Sequence, residues 1–290
     1  MKLSVGPILY LWSREAALEF YAQLCDAPVD IVYLGEVVCS KRRMLERRDW
    51  ANVARQLQDA GKEVVFSTLA LIEAESELAT LARILRESNG SVEANDYAAV
   101  DMLEGASFVA GPHLNVYNSP TLALLARRGA RRWVPPIELP LTTIATLAQG
   151  RPTGLEIEVF AYGRLPLAFS ARCFTARAQQ HGKDDCEFVC GRYPDGLTLY
   201  TREDQPFLAF NGIQTQSAAV QNLLFAAPEL RAAGVDVLRL SPQSRDFLKV
   251  AQAFRAAIDG QAATLPDAFL PGGYCSGYLR GGAGLVHQSP

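Results

Sequence analysis

Histidine is scarce in this 290-residue sequence, with only His113, His181 and His287 present. No H-E-x-x-H pair and no G-x-S-x-G elbow occurs, so motif-borne zinc and serine hydrolase chemistry has no foothold. No G-x-G-x-x-G follows the first apolar strand, which removes the usual dinucleotide fingerprint. No run of eighteen apolar residues exists, so no helix is expected to span a membrane. The charge is only weakly acidic: 28 Lys and Arg face 31 Asp and Glu, for a net charge of −3. Such a chain offers nucleic acid no global attracting field, and nucleic acid is not an expected partner. Residues 1–12 (MKLSVGPILYLW) are apolar, but Gly6-Pro7 interrupts them and Ser13, Arg14 and Glu15 follow instead of a small-residue cleavage site. They read as a first strand, and the chain is expected to stay in the cytoplasm.

What the sequence does hold is a group of cysteines. Three of six, Cys173, Cys186 and Cys190, lie in SARCFTARAQQHGKDDCEFVCG, residues 170–191. A structural cysteine is usually a small buried hydrophobe, whereas these sit in a polar segment. In a reducing compartment such a cluster favours metal binding or catalysis over disulfides. Zinc prefers two tight pairs, and here only Cys186 and Cys190 form a close one. Iron–sulfur clusters take four thiolates at uneven spacing. The fourth must come from Cys25, Cys39 or Cys275, or His181 replaces one cysteine.

The periodicity of the chain alternates between strand and helix. Apolar or β-branched runs at 3–9, 30–34, 63–66, 91–94, 107–110, 132–134, 155–160 and 235–240 read as eight strands. Helical patterns separate them: one capped by Ser13, then 42–60, 71–86, 97–103, one capped by Ser119, 141–148 and, at the end, 244–259. Between the seventh and eighth strands lie the cysteine loop, a hairpin at 197–200 and 207–210, and helical patterns at 217–227 and 228–233. Eight such repeats over about 250 residues predict a (β/α)8 TIM-barrel-like α/β fold, with a doubly wound open sheet as the alternative. The expected organisation is a barrel over 1–265, including the iron–sulfur loop at 161–214, and a Gly/Pro-rich tail at 266–290. Arginines 42, 43, 47 and 48, and 127, 128, 131 and 132, read as solvated helix faces. Glu156 and Glu158 share one face of the seventh strand, so a carboxylate is expected inside the barrel, with Arg164 as its candidate partner.

Barrel active sites lie where strands end at their C-termini. Cys39 follows the second strand by five residues, and Cys173, Cys186 and Cys190 follow the seventh. All four therefore belong to one face, while Cys25 ends the first helix and Cys275 lies in the tail. That placement selects Cys39 as fourth ligand and suits a [4Fe-4S] cluster; a trio acting without Cys39 is the alternative. Glu36, Asn115, Tyr117 and Glu138, also at strand ends, are candidate substrate contacts, and loop hydrogen bonds are their plainer reading. A Cys39–His113 nucleophilic pair is conceivable on the same face.

The run EVFAYGRLPLAFSARCFTARAQQHGKDDCEFVCGRYPDG, together with YLGEVVCSKRR, KLSVGPILYLW and PHLNVYN, resembles the collagenase-like peptidase U family, in particular its members in oxygen-independent ubiquinone biosynthesis. The spacing between Cys173 and Cys186 is shorter than that family's pattern. The resemblance implies a [4Fe-4S] cluster on Cys39, Cys173, Cys186 and Cys190 and a heterodimer with a UbiU-like sister protein. It also implies hydroxylation of the aromatic ring of ubiquinone precursors with prephenate as oxygen donor. A prenylated phenol would then be the substrate, delivered by a partner or a lipid-carrier protein. Hydroxylation of an RNA base, or a non-catalytic cluster-binding scaffold, are the competing functions.

Overall fold

The computed structural model describes residues 1–88 and 92–287. Its strands are β1 (Lys2–Val5), β2 (Ile31–Leu34), β3 (Glu63–Ser67), β4 (Val92–Ala94), β5 (Phe108–Ala110), β6 (Ala130–Trp133), β7 (Glu156–Phe169), β8 (Leu197–Tyr200), β9 (Pro206–Asn211), β10 (Gln214–Asn222), β11 (Val237–Leu240) and β12 (Tyr274–Cys275). The first seven and β11 run parallel, each beside the next. β11 closes the ring by pairing with both β1 (Val5↔Leu240) and β7 (Val237↔Glu158). The alternation of the sequence is thus a closed (β/α)8 barrel and not an open sheet. Of the expected fourth strand, Ser91 lies outside the described residues.

The helices form where the periodicity places them, with shifted ends. In α1 (Arg14–Leu24), Ser13 caps the first turn by accepting the Ala16 N–H, and Ala17, Phe20, Tyr21 and Leu24 face the core. α2 (Arg47–Asp59) starts later than the pattern at 42–60, because Arg42 is drawn inward in the preceding loop. α3 (Glu75–Glu87) and α4 (Tyr97–Met102) follow. α5 (Ser119–Arg127) is capped by Asn118, not Ser119: its Oδ1 accepts the Thr121 N–H, which puts Pro120 inside the first turn. α6 (Leu141–Gln149), the short α7 (Phe174–Ala178) and α8 (Ala227–Ala232) precede α9 (Phe247–Ile258), which buries Phe247, Val250, Ala251, Phe254 and Ile258.

Two expectations fail between β7 and β11. The seventh strand does not stop at residue 160 but runs on to Phe169, out of the barrel. The helical pattern at 217–227 is broken: Ser217 to Asn222 belong to β10, and helix resumes only at α8. Beyond Tyr162, β7 trades its parallel neighbour β11 for the antiparallel β10, and β9 and β8 extend that sheet. The Ala-rich propensity of 217–227 loses to this strand pairing, as tertiary context often decides. A bulge in β10 opposite Pro166, which has no N–H to donate, frees the carbonyls of Ser217 and Ala218. Arg164 donates to both at 2.9 Å. It is therefore not the partner of a lumenal carboxylate.

That partner is Arg239. Glu158 is fully buried inside the barrel and accepts from Ser4 at 2.6 Å, Tyr33 at 2.5 Å and Arg239 at 2.7 Å. Arg239 also reaches Glu93 at 2.7 Å, and Arg132 stands 3.6 Å from Glu158. A small apolar layer of Ile31, Tyr33, Val65, Val109, Val134 and Val237 completes the lumen. Burial alone would raise the Glu158 pKa, but the Arg239 and Arg132 guanidiniums overcome it and hold it low. Arg132, read from sequence as part of a solvated face, has no exposed surface. After α9 the chain returns to the sheet through β12, which pairs with β10, and Arg280 forks onto Glu229 at 2.6 and 2.9 Å.

Candidate cluster site

Cys39, Cys173, Cys186 and Cys190 line one pocket at the C-terminal end of the barrel. They reach it from two loops, after β2 and after β7, far apart in sequence. Cys25, at the C-terminal cap of α1, and Cys275, buried in β12, do not line it.

Local chain chemistry aims each thiol. In the β2 loop, Glu36 Oε1 accepts the backbone N–H groups of Val38 (2.8 Å) and Cys39 (3.0 Å), which turns Cys39 inward. Cys173 caps α7 with its sulfur, which accepts the Ala176 N–H at 3.4 Å. The C-x3-C pair is folded by two consecutive left-handed residues, Glu187 (φ 46) and Phe188 (φ 53), a costly backbone that brings Cys186 and Cys190 round to the same side. Lys41 donates to the Lys183 carbonyl at 2.8 Å and to Asp184 at 2.6 Å, strapping the two loops together.

Arg42 is the residue that sequence reasoning missed. It is only 6% exposed and donates to the Leu9 carbonyl and to Asn211 Oδ1, both at 2.7 Å. Its Nη1 lies 3.8 Å from Glu36, and the guanidinium also approaches the Cys190 sulfur. Gly212, at φ +64, leaves the room: a Cβ there would stand 2.8 Å from Arg42 Nη2. The arginine run 42–48 carried no sign that its first member faces inward, whereas the other three stay exposed or half-exposed.

Burial pushes the thiols of Cys39, Cys173 and Cys190 up. The Arg42 charge opposes this at all three, as do the N–H groups of Lys41 at Cys39 and of Ala176 at Cys173. Among the described residues, no three His, Cys, Asp or Glu side chains converge as a single metal ion requires. A four-iron cluster takes four cysteine thiolates. The donor set fits such a cluster: four thiols, N–H groups directed at sulfur, a buried cation, and an Arg42 Nε with no hydrogen-bond partner in the chain.

The other candidates separate. Glu36 belongs to the cysteine pocket's supporting shell. Tyr117 donates to Glu138, and both are exposed, forming a pair of their own. Asn115 is an exposed left-handed residue (φ 54) ending a 3-10 turn. His181 faces Glu187 at 4.0 Å, and His113 packs edge-on against Phe169; neither lines the cysteine pocket. Among the described residues no helix is long and apolar enough to cross a membrane.

Three solved structures are similar to this chain at low identity and low TM-score. The spore cortex-lytic enzyme SleL of Bacillus megaterium is 13% identical, with 91% of this chain and 75% of that one covered and a TM-score of 0.44. A putative fructose-1,6-biphosphate aldolase of Coccidioides immitis is 10% identical over 89% and 87%, at 0.42. The phospho-2-dehydro-3-deoxyheptonate aldolase of Thermotoga maritima is 10% identical over 90% and 68%, at 0.39. The sequence itself matches one family over residues 16–268, a span that includes all four pocket cysteines, and the chain belongs to that family, peptidase family U32.

Proposed function

We propose that within family U32 the chain is a UbiV-like member: the iron–sulfur subunit of an oxygen-independent hydroxylase acting on the aromatic ring of ubiquinone precursors, paired with a UbiU-like partner. The observation that carries this reading is the meeting of Cys39, Cys173, Cys186 and Cys190 in one pocket from two distant loops. These four residues would hold a [4Fe-4S] cluster, which when bound supplies one-electron redox chemistry. Arg42 and the N–H groups at Cys39 and Cys173 offset the negative charge of the thiolates. Glu36 fixes the β2 loop, and the Lys41 strap fixes the β7 loop against it. The oxygen atom added to the ring comes in this reading from prephenate, and a prenylated substrate is handed over by a partner or lipid carrier.

The test has two arms. Each cysteine is replaced by alanine, and iron, sulfide and visible absorbance are measured after anaerobic reconstitution. The four pocket variants should lose the cluster, while Cys25→Ala and Cys275→Ala keep it; the reverse pattern sinks the ligand set. In cells lacking the gene, ubiquinone should fall only without dioxygen, with an unhydroxylated prenylphenol accumulating. Normal ubiquinone with altered RNA modification instead would transfer the function to RNA-base hydroxylation.

A further inference from the structure

The cysteine pocket has a larger neighbour. A cleft of about 470 Å³ opens beside it on the same face, between the start of α1 and the start of α9. Its walls come from the loop after β7 (Gly191, Pro194) and the loop after β11 (Gln243 to Asp246). Such a volume is that of a small-molecule site. The loops after the seventh and eighth barrel strands, with a helix N-terminus, commonly seat an oxyanion.

The two ends of the cleft differ in chemistry. One wall is aromatic: Trp12, Phe20 and Phe247 pack edge to face, with centroids 5.3 and 5.2 Å apart, and Trp12 is pinned by its Nε1 donating to the Pro194 carbonyl at 2.8 Å. The other end is a set of donors. α9 runs for twelve residues, and its cap residue Asp246 gives no side-chain bond to the first turn. The positive end of that helix therefore opens into the cleft, flanked by Arg245 and Lys249. Independently, Gln243 lines the cleft while only 2% exposed, and its Nε2 has no hydrogen-bond partner; its Oε1 is taken by the Tyr162 hydroxyl at 3.2 Å. A buried donor without an acceptor costs about 1–3 kcal/mol unless something supplies one. Two carboxylates also border the cleft: Glu19, and Asp246, which pairs with Lys249 at 2.6 Å. Asp195 lies behind Ser244 and takes both its N–H and its hydroxyl, which fixes the loop.

The geometry points to a binding site for a small organic anion: an oxyanion head, phosphate or carboxylate, on the α9 N-terminus, Arg245 and the Gln243 amide, and an apolar ring-sized body against Trp12, Phe20 and Phe247. The inference stands on this cleft alone and holds whatever the cysteines bind.

Titration calorimetry of the full chain with phenyl phosphate, benzoate, inorganic phosphate and benzyl alcohol tests it. Phenyl phosphate or benzoate should bind saturably, inorganic phosphate more weakly, and neutral benzyl alcohol not at all; which of the first two is tighter identifies the head group. Arg245→Ala and Gln243→Leu should each weaken the binding about tenfold, the loss of one charge-assisted or buried contact. Asp246→Asn, which tolerates the same left-handed backbone (φ 56), should tighten it severalfold by removing a like charge and releasing Lys249. Unfolding curves of the variants show whether the fold is kept. Arg245 and Asp246 are exposed, so they carry the test even if the Gln243 change disturbs the core. No saturable binding of either aromatic anion at millimolar concentration, or equal affinity in Arg245→Ala and Asp246→Asn, overturns the site.

Discussion

At the scale of single residues, Arg42 does the most with the least sequence signal. A guanidinium can donate in a fixed fork, and here the fork meets Leu9 and Asn211 while Cys190 and Glu36 stand close by. Lysine could supply the charge but not the fork. Arg42→Met should therefore destabilise the chain by about 3 kcal/mol, since buried acceptors lose a charged donor. Arg42→Lys should recover part of the stability and little of the pocket's geometry. Urea unfolding read beside iron content after reconstitution checks both. Full iron retention in Arg42→Met would show that the residue only holds the loops.

At the scale of elements, the decisive junction is where β7 leaves the barrel. Gly163 lies there at φ +129, and a Cβ on it would stand 2.6 Å from the Cβ of Ser241 and 3.1 Å from Phe160. Backbone strain and a clash act together, so Gly163→Ala should cost about 2–3 kcal/mol in urea unfolding. Adding Ser241→Gly should return the part due to the clash but not the part due to φ. Full recovery would mean that the backbone relaxes freely and the bend is not fixed by glycine. The same junction marks the limit of what the sequence made legible. The barrel strands and helices announced themselves by hydrophobic period, and the cysteines on β2 and β7 loops could be placed on one face. The continuation of β7 to Phe169 could not, because LPLAF contains Pro166 and lacks alternation. Nor could Ser217 to Asn222, whose alanines favour helix in isolation and become strand only because β7 and β9 flank them. Arg132 and Arg239 hid in the same way: a charge inside a barrel needs partners from other strands, and sequence spacing does not show them.

At the scale of the whole molecule, the lumen couples stability to pH. Glu158 is held ionised in the fold by Arg239 and Arg132 against the pull of burial, so its folded pKa lies below its unfolded one. In acid the unfolded chain then binds the proton first, and the contribution of Glu158 is complete above the unfolded carboxylate range and lost as pH falls through the folded value. His113 acts in the same direction at higher pH. His113 keeps some exposed surface, yet desolvation of its ring and, after it, the Arg239 charge push its pKa down to about 3, while an unfolded histidine titrates near 6.5. Between those values protons favour the unfolded chain, so stability should begin to fall below about pH 6.5 and fall further in the carboxylate range. Thermal unfolding from pH 8 to pH 3 should show two successive losses. His113→Gln should remove the upper one. Glu158→Gln should lower neutral stability by about 3 kcal/mol, because two guanidiniums lose their buried counter-charge, and should flatten the lower loss. If Glu158→Gln leaves neutral stability unchanged, Glu93, which pairs with Arg239, and Glu63 and Glu156, which pair with Arg132, compensate the lumenal arginines, and the buried network is redundant at its centre.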